Sequence, residues 1–474
     1  MYPHTPTETE RHIAEMEAQG WSQAAIIQEL IDDHNTEHME EGVRYYFLQN
    51  DILKREMYKY DDNGNPSVDK EATNNTLPSG WHKLLVDQKT AYLVGDEITI
   101  GGDDETAIEV TQEMLGDEFH DIMPELSKNA SNKGREWLHV YVDEDGALDY
   151  MRVPAQEGIP IYDNNKRQNL EAFIRYYKVD EDTMKIKFYD RDQCTHYENV
   201  NGQVVLDATE PVNPEPHFQY VSQNESTGLG WGEVPFIEFA NNEERFSDLI
   251  LYKKYIDAYD WVMSDTTNSL QDVQDVFYLI RGYESTNLDS FVDNIRRYKA
   301  AKVGDEGGIE PIQAEVPITS IDSQLDRFIR NIYHYGMGVD TDVDKFGNAP
   351  SGVSLKNLYQ YLDMKADIME RKFTKSLRRL VWFIAEYQTV TPEGRPFDYK
   401  KVTFTFNKSM LTNEAENVTM AKDSQGMISQ ETIMENHPWV TDVQREKERL
   451  QNEQDEYARN MPPVEGEGNE PGRD

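Results

Sequence analysis

His34, Glu37 and His38 are the residues whose types and spacing come nearest to a known catalytic pattern. Two histidines with a glutamate between them match the inverted zinc-protease arrangement, in which both imidazoles bind Zn²⁺ and the carboxylate acts as a base. The surrounding stretch is strongly polar, and it offers no evident third ligand and no buried wall to exclude water. A zinc-dependent hydrolase is therefore an alternative hypothesis rather than the main one.

Asp340, Asp342 and Asp344 alternate along a short acidic segment and could offer carboxylate oxygens to a cation. Their spacing matches the first, third and fifth positions of a calcium-binding loop. The second half of such a loop is missing, because Lys345 stands where the loop needs glycine and Ser351 where it needs glutamate. We expect no calcium site here, and no cofactor or metal site elsewhere in the chain.

Basic residues are grouped in one short segment of this otherwise acidic chain: Arg296, Arg297, Lys299 and Lys302. They could be the solvated end of a helix, or they could form an electrostatic dock for an acidic partner. The chain has no GxxxxGK[ST] segment, so it lacks the lysine and hydroxyl that bind nucleotide phosphates and magnesium. We therefore predict no ATP hydrolysis and no enzymatic activity.

The overall charge limits which partners the chain can attract. Its 474 residues include 89 Asp and Glu against 47 Lys and Arg, which gives a formal net charge of −42. Such a field disfavours attraction to phosphate backbones and argues against a protein that reads nucleic-acid sequence. The acidity could also reflect ordinary solvation of the surface.

Length, cysteine content and hydropathy indicate a multidomain protein made in a reducing cytosol. The length suits about two to four domains, each with its own core. Cys194 is the one cysteine and cannot close an intrachain disulfide. We expect no signal peptide, because no apolar run follows a basic stretch. We expect no membrane span, because no run reaches about 18 apolar residues.

Hydrophobic periodicity predicts helices near the N-terminus and strands after them. Ser22 can cap a first helix, whose apolar stripe continues through Ile27 and Leu30. A second helix is predicted from Trp81 to Leu93, with Gly95 as its stop. An antiparallel meander follows, with strands at 138–142, 148–153, 173–179 and 184–189 and another around residue 204.

After residue 240 the predicted segments are, in order, a helix (241–270), a compact insert (271–317), a second helix (318–335), a Gly-rich acidic loop (336–352), a long amphipathic helix (353–388), a segment with one strand (389–410), helical patches (411–461) and a disordered tail (462–474). Asn241 or Asn242 can cap the first of these helices, and Thr319 with Asp322 resembles a capping box for the second. The strand in 389–410 could rejoin the meander.

Three strings in this order resemble the portal proteins of tailed bacteriophages, in the siphophage branch typical of Gram-positive hosts. They are LLVDQKTAYLVGDEITI from Leu84, EVPFIEFANNEERFSDLILYKKYIDAYDWVMSDTTNSLQD from Glu233, and SGVSLKNLY from Ser351. The resemblance covers about residues 20 to 410, and it depends on the order and spacing of the strings.

The resemblance implies an α+β portal fold with parts that can be assigned by position. Residues 1–240 would be the N-terminal helices and the β-rich wing. The later parts would be a stem of two helices (241–270 and 318–335), a small α/β clip between them (271–317), a tunnel loop (336–352), a long kinked helix (353–388), a further wing strand (389–410) and a helical crown (411–461).

The resemblance also implies a function. The chain would be one subunit of a ring, expected to be a dodecamer, that conducts double-stranded DNA into the capsid and later out through the tail. Implied partners are the terminase large subunit, the major capsid protein, the scaffold protein and a head-tail connector. The protein would reside at the portal vertex of the virion, and in the host cytoplasm during assembly. An acidic scaffold without a channel is the alternative from another class.

Site residues follow from the implied parts. An acidic channel wall would let DNA slide without capture, and Asp322 and Asp326 of the second stem helix are predicted to face it. In the tunnel loop, Asp340, Asp342 and Asp344 accompany three residues that could make transient, sequence-independent DNA contacts: Lys345, Phe346 and Asn348. The basic cluster at 296–302 would be the docking face of the clip.

Overall fold

The structure is a computed structural model of the chain, and it describes residues 13, 16–162, 169–180, 183–222, 225–272, 277–281, 308–312, 316–340, 352–409, 419, 421–435, 437, 440 and 443–460. Within these residues the α-helices are α1 (Gln23–Asp32), α2 (Glu37–Tyr46), α3 (Trp81–Val94), α4 (Glu105–Leu115), α5 (Glu118–Lys133), α6 (Lys253–Asp272), α7 (Ile318–Gly336), α8 (Gly352–Val390), α9 (Gln430–Glu435) and α10 (Val443–Asn460).

The strands of the described residues are β1 (Tyr58–Tyr60), β2 (Pro66–Val68), β3 (Thr99–Gly102), β4 (Arg135–Val142), β5 (Leu148–Val153), β6 (Gly158–Tyr162), β7 (Leu170–Lys178), β8 (Met184–Tyr189), β9 (Gln193–Val200), β10 (Gln203–Leu206), β11 (Glu215–Pro216), β12 (Phe218–Ser222), β13 (Glu225–Leu229), β14 (Phe236–Ala240), β15 (Phe277–Arg281), β16 (Gly308–Ile312) and β17 (Val402–Thr405). Helices and sheets are both abundant, in agreement with the predicted α+β class.

The predicted meander is divided between two antiparallel sheets. One has the strand order β14-β4-β5, and the other has the order β10-β9-β8-β7-β6 with β11 paired to β9. The two sheets separate after β5. The 3₁₀ turn Ala155–Glu157 comes next, and β6 pairs with the following strand, β7. The hairpin turns at Gly146 and Gly202 have positive φ (83° and 84°), as their Asp-Gly and Asn-Gly sequences predict.

Helix α1 covers one face of the larger sheet. The Ala25 N–H donates to the Ser22 hydroxyl (3.3 Å), which confirms the predicted cap. The apolar stripe of α1 is buried against alternate residues of the sheet; the shared core comprises Ile26, Ile27, Leu30, Ile159, Ile174, Ile186, Tyr197 and Val204. The alternation in the strands and the helical period in α1 therefore meet in one core.

Helices α4 and α5 have no counterpart in the sequence prediction. Asp104 caps α4 by accepting a hydrogen bond from the Ala107 N–H (3.3 Å). The buried side of α5 includes Ser127 and Ser131, and the Ser131 hydroxyl donates to the Ser127 carbonyl oxygen (2.8 Å). Small polar residues on a buried face dilute the apolar period, so periodicity alone did not reveal this helix.

The strand predicted in 389–410 is present as β17, but it does not join the meander. It pairs with β3, and the register aligns Val402 with Gly102 and Thr405 with Thr99. Val402 is buried with Ala107 of α4 and Val381 of α8. The expectation of a strand was correct, whereas the expectation that it rejoins the meander was wrong, because hydrophobic alternation does not specify the pairing partner.

The long helix α8 lies close to its predicted range of 353–388. Its predicted stripe is buried from Leu362 onward; the buried members are Leu362, Met369, Phe373, Leu377, Leu380 and Ile384. Successive members are separated by seven, four, four, three and four residues, which keeps all of these side chains on one side of the helix.

The chain divides into two compact units, one made of Met1–Val339 and Tyr361–Ser409, the other of Asp340–Gln360 and Met410–Asp474. In the second unit α9 and α10 are joined by an ion pair between Lys447 and Glu431 (2.6 Å). The tail predicted at 462–474 and most of the patch before residue 421 lie outside the described residues. Among the described helices, none combines the length and the apolarity that crossing a bilayer requires.

Candidate functional site

Helices α6 and α7 pack against each other and against α3. Ile256 of α6 and Ile332 of α7 share a buried cluster with Leu85 of α3. The rings of Tyr255 and Tyr335 stack with their centroids 5.2 Å apart. These contacts join the beginning of α6 to the end of α7, so the chain leaves this core through α6 and returns to it through α7.

The start of α6 corrects the prediction for the first stem helix. A 3₁₀ turn at Asp248–Leu251 precedes α6, and Arg245 has a φ of 59°, which an α-helix does not accommodate. Asn241 and Asn242 therefore do not cap the helix. Their amides instead donate to the Phe246 carbonyl oxygen (3.1 and 2.9 Å) and close a loop.

The start of α7 corrects a second prediction. Pro317 precedes the helix, and no side chain caps it. Thr319 and Asp322 lie inside the first turns, so they do not form the predicted capping box. Pro317 has a fixed φ and lies directly before the helix, so it marks where the helix begins.

An extended segment, residues 75–79, lies along α6, and we call it the strap. Alternate backbone N–H groups of the strap donate to polar side chains one helical turn apart; the pairs are Asn75 to Asn268 (2.7 Å), Leu77 to Ser264 (3.0 Å) and Ser79 to Asp260 (3.0 Å). Two extended residues rise about 6.6 Å and four helical residues about 6 Å, so the segments stay in register.

Carboxylates of α6 form hydrogen bonds and ion pairs within the subunit. Asp260 is fully buried and also accepts from the Asn50 amide (2.6 Å). Burial raises the pKa of Asp260, while the hydrogen bonds from Asn50 and Ser79 act in the opposite direction. Asp257 bonds to the Tyr45 hydroxyl, and Asp265 pairs with the Arg55 guanidinium. Residues 45–79 therefore pair with Asp257, Asp260 and Asp265 of α6; Asp260 is buried, whereas the Asp265 side chain keeps 49% of its exposure.

The acidic residues of α7 have the opposite setting. Asp322 and Asp326 are exposed and lie one turn apart on one side of the helix. Arg327 and Arg330 are exposed as well, so the described part of α7 carries no net formal charge with histidine neutral. The sequence prediction considered the two carboxylates and overlooked these two guanidinium groups.

Glycines at the end of α7 allow close packing. A Cβ on Gly336 would lie 2.5 Å from the Leu85 side chain, and one on Gly338 would lie 2.2 Å from it. Met337 between them takes the left-handed conformation that ends the helix (φ 54°). Besides lying at the end of the helix, Gly336 and Gly338 are required by their close contact with α3, which sequence alone did not indicate.

Gln88 holds the backbone that follows α7. Its amide nitrogen donates to the Val339 carbonyl oxygen (2.6 Å), and its amide oxygen accepts from the Val339 N–H (3.0 Å). The Gln88 side chain thereby satisfies both backbone groups of Val339, as a neighbouring strand would. The N-terminal root of the predicted tunnel loop is tied to α3 up to Val339.

A buried charge cluster lies beside this root. Lys89 donates to Asp248 (2.6 Å) and to Asn241 (2.7 Å), and Lys365 of α8 pairs with the same Asp248 oxygen (3.0 Å). Burial alone would raise the pKa of Asp248, but Lys365 and Lys89 hold it well below its usual range. Burial lowers the pKa of Lys89 to about 8.

Lys365 also bonds to the end of α7. Its ammonium donates to the Gly336 carbonyl oxygen (2.9 Å), one of the terminal carbonyls that an α-helix leaves without an internal partner. Lys365 is 8% exposed. The cluster therefore connects α3, the loop before α6, the end of α7 and the long helix α8.

The predicted loop and clip residues fall mostly outside the described part of the chain. These are Asp342, Asp344, Lys345, Phe346 and Asn348 in the loop, and Arg296, Arg297, Lys299 and Lys302 in the clip. Asp340 is described and is half-buried. Of the clip, β15 and β16 form an antiparallel pair in which Phe277 lies opposite Ile312.

The histidine pattern of the zinc-hydrolase alternative does not form. His34 lies between α1 and α2, whereas Glu37 and His38 lie in the first turn of α2. The Tyr176 hydroxyl is 2.7 Å from His34 Nδ1, and burial lowers the pKa of His34 to about 4. Among the described residues, these three side chains do not form a metal-binding group.

The cluster residues were missed, although the sequence carries a signal for them. Lys89 lies four residues after Leu85 and four before Leu93, so helical geometry places it on the buried stripe. Lys365 lies between Leu362 and Met369 in the same way. A charged residue on an apolar stripe indicates a buried partner.

Comparison with known proteins assigns the family. The family model described as "Phage portal protein, SPP1 Gp6-like" matches residues 27–460. The portal protein of Bacillus phage SPP1 is 39% identical over 440 residues, covering 91% of this chain and 87% of the relative. The portal protein of Clostridium phage phiCD119 is 33% identical over 420 residues, covering 86% and 90%. This family is structural, which confirms the prediction that the chain is not an enzyme. The chain belongs to the SPP1 Gp6-like family of phage portal proteins.

Proposed function

We propose that the chain is one subunit of a ring, expected to be a dodecamer, that surrounds a channel for double-stranded DNA. The ring admits the genome during packaging and releases it through the tail. As a phage portal protein the chain is a component of the virion capsid. Its presence in the host cytoplasm during assembly is part of the proposal.

The observation that carries the proposal is the difference between α6 and α7. Asp257, Asp260 and Asp265 of α6 are bonded to residues 45–79, whereas Asp322 and Asp326 of α7 are exposed on one side. The exposed charged side chains Asp322, Asp326, Arg327 and Arg330 give α7 a polar surface for contact with a solvated polymer. We assign α7 to the channel wall, α6 to the outer side of the stem, and 271–317 to the clip.

The charge pattern of α7 suits a surface along which DNA slides. Exposed carboxylates repel phosphates, while Arg327 and Arg330 supply weak, non-specific attraction, so no strong binding site forms. This differs from a uniformly acidic wall. The acidic wall predicted from the net charge of −42 is replaced here by a mixed one on α7.

The tunnel loop is proposed to extend from the fixed root at Gly336 and Val339. Gln88 and Lys365 bond to that root, so any movement of the loop would start beyond it. The residues proposed to meet DNA are Asp340, Asp342, Asp344, Lys345, Phe346 and Asn348. Contacts of this kind position a duplex without reading its sequence.

The clip and wing are proposed to face the assembly partners. Arg296, Arg297, Lys299 and Lys302 would dock an acidic surface of the terminase large subunit or of the head-tail connector. The wing, built on the two sheets, would face the major capsid protein and the scaffold protein. Because no P-loop is present, the energy for DNA movement must come from the partner ATPase.

Electron microscopy of the purified protein tests the proposal. We expect rings with a central opening. A compact assembly without an opening would favour the alternative, an acidic scaffold without a channel. The zinc hydrolase has no support, because its three residues do not converge.

A charge variant tests the assignment of α7. Asp322→Lys with Asp326→Lys should leave ring formation intact and reduce the DNA packaged per head several-fold. The reason is that each subunit gains two cations, which would capture phosphates. The matched control is Glu144→Lys with Asp145→Lys in the exposed β4-β5 turn. If both variants package like wild type, α7 does not line the channel.

A further inference from the structure

The sheet brings together a set of metal-binding side chains that the sequence prediction did not consider. Cys194 and His196 are alternate residues of β9, so they project from the same face. Glu215 of β11 lies directly opposite Cys194 in the antiparallel register. One ligand atom from each of the three residues lies within 4.8 Å of the other two, and among the described residues this is the group that meets that criterion.

The surroundings position these groups. His196 Nε2 lies 2.6 Å from Glu215 Oε1, and its Nδ1 lies 3.9 Å from the Glu210 carboxylate. At 3.9 Å Glu210 makes no direct hydrogen bond to Nδ1, but its carboxylate lies on the side of the imidazole where an orienting group is usually found. Asn213 holds the connection in place, accepting from the His196 N–H (3.0 Å) and donating to its carbonyl oxygen (2.8 Å).

Two of the three side chains are buried, and the third is accessible to solvent. Cys194 is 3% exposed and His196 is 4% exposed. Cys194 belongs to a core cluster with Phe173 and Tyr189, and the Tyr189 hydroxyl bonds to its thiol. The Glu215 side chain is 43% exposed and can admit an ion from solvent.

We propose that Cys194, His196 and Glu215 bind one Zn²⁺ ion, with a water molecule as the fourth ligand. A thiolate and an imidazole favour zinc over Ca²⁺ or Mg²⁺, which prefer oxygen ligands. One thiolate and one carboxylate neutralise the two positive charges of the ion. The proposal is independent of the channel and of ring formation.

Binding requires ligand shifts of about an ångström, because the three ligand atoms lie within 4.8 Å of one another and not yet at the spacing of zinc ligands. Two ligands of one tetrahedral zinc lie about 3.3 Å apart, so His196 and Glu215 must separate by less than an ångström. The thiol proton is released to solvent as the Zn–S bond forms.

The ion would have a structural role. β11 is short and pairs with β9 through Glu215 and Pro216 alone. A zinc ion shared by the two strands would fasten the connection between β10 and β11 to the larger sheet. It would stabilise the wing against local opening, as structural zinc does in small domains.

Cobalt and zinc titrations of the full-length apo protein test the site. We expect one Co²⁺ per chain with a thiolate-to-cobalt charge-transfer band, displacement by Zn²⁺, and a higher apparent Tm in zinc than in a chelator. Cys194→Ser should abolish the band, and Glu215→Gln should weaken binding at least tenfold. The control His120→Gln, which changes a half-buried histidine outside the site, should bind like wild type.

Two results would overturn the proposal. The first is wild-type protein that takes up no stoichiometric zinc or cobalt at micromolar concentration. The second is metal binding that persists in Cys194→Ser, which would assign it to other groups. Far-UV circular dichroism of each variant separates loss of a ligand from loss of the fold, and Glu215→Gln gives an independent reading if Cys194→Ser fails to fold.

Discussion

The Lys365 ammonium donates a hydrogen bond to the Gly336 carbonyl oxygen at 2.9 Å and thereby joins the long helix α8 to the last residue of α7. The same ammonium pairs with Asp248, which Lys89 of α3 also binds. Four parts of the chain thus meet at one point: α3, the loop before α6, the end of α7 and α8. In the proposed channel this point would transmit any displacement of α8 to the root of the tunnel loop.

Lys365→Met should destabilise the protein, because it leaves the Gly336 carbonyl without its partner and Asp248 with one cation instead of two. We expect a loss of about 2 to 3 kcal/mol, limited by the remaining Lys89. Urea unfolding should measure this loss, and amide hydrogen exchange should rise at residues 337–340. Lys372→Met is the control on the same helix, because its exposed pair with Glu243 should contribute about 1 kcal/mol or less. Equal effects of the two variants would contradict a special role for Lys365.

Gly336→Ala should be destabilising because the new Cβ would lie 2.5 Å from the Leu85 side chain. We expect a loss of about 1 to 3 kcal/mol from overpacking. Leu85→Ala should relieve part of this cost, so the double variant should be more stable than the sum of the single effects. Gly101→Ala is the control, because its Cβ would meet only the Thr403 side chain at 3.7 Å. Strict additivity of the two variants would show that Leu85 is not the obstacle.

Asn268→Ala should loosen the strap, since the side-chain oxygen Oδ1 of Asn268 accepts from both the backbone N–H (2.7 Å) and the side-chain amide (2.9 Å) of Asn75. We expect trypsin to cleave after Lys70 several-fold faster, because cleavage follows local opening. Quantitative mass spectrometry of the early digest measures this rate. Ser269→Ala changes the exposed neighbour and should leave the rate unchanged. An unchanged rate in Asn268→Ala would mean that the strap is held elsewhere.

His139→Phe should make the protein less sensitive to acid. Burial lowers the pKa of His139 from its ordinary value of 6.5 to about 3. Below pH 6.5 the unfolded state binds a proton at this histidine and the folded state does not. His139 therefore leaves the free energy of unfolding unchanged above pH 6.5 and decreases it as the pH falls toward 3. At pH 5 the loss from this residue is about 2 kcal/mol.

The phenyl ring can keep the stacking on Phe236, whose centroid lies 4.4 Å from that of His139. The difference in apparent Tm between pH 7.5 and pH 5 should therefore shrink in His139→Phe. His120→Phe, at a half-buried site, should leave that difference nearly unchanged. A difference equal to that of wild type in His139→Phe would place the acid sensitivity in other groups.

Local patterns in the sequence were sufficient for several elements. The buried stripe of α8, the Ser22 cap and the two hairpin turns at Gly146 and Gly202 all depend on residues close together in the chain. Backbone geometry and side-chain period determine such features, so they can be predicted without knowledge of the tertiary contacts. The strings that resemble portal proteins indicated the family in the same way.

The features that were predicted wrongly or missed share a different cause. β17 pairs with β3 instead of the meander, and Asn241 binds Lys89 instead of capping a helix. Cys194 looked like an isolated thiol until the register placed Glu215 opposite it. In each case the outcome depends on a partner many residues away, which periodicity does not identify.

The sequence by itself determined the family, the acidity of the chain and many of its helical and extended segments, although not α4 and α5. The tertiary structure decided which charges remain available, because Asp257, Asp260 and Asp265 of α6 are paired within the subunit, whereas Asp322 and Asp326 of α7 are exposed. Net charge sums all carboxylates alike, whereas the field at a surface depends on those that face solvent without a close cation. For this reason the candidate channel surface could be assigned only after the fold was known.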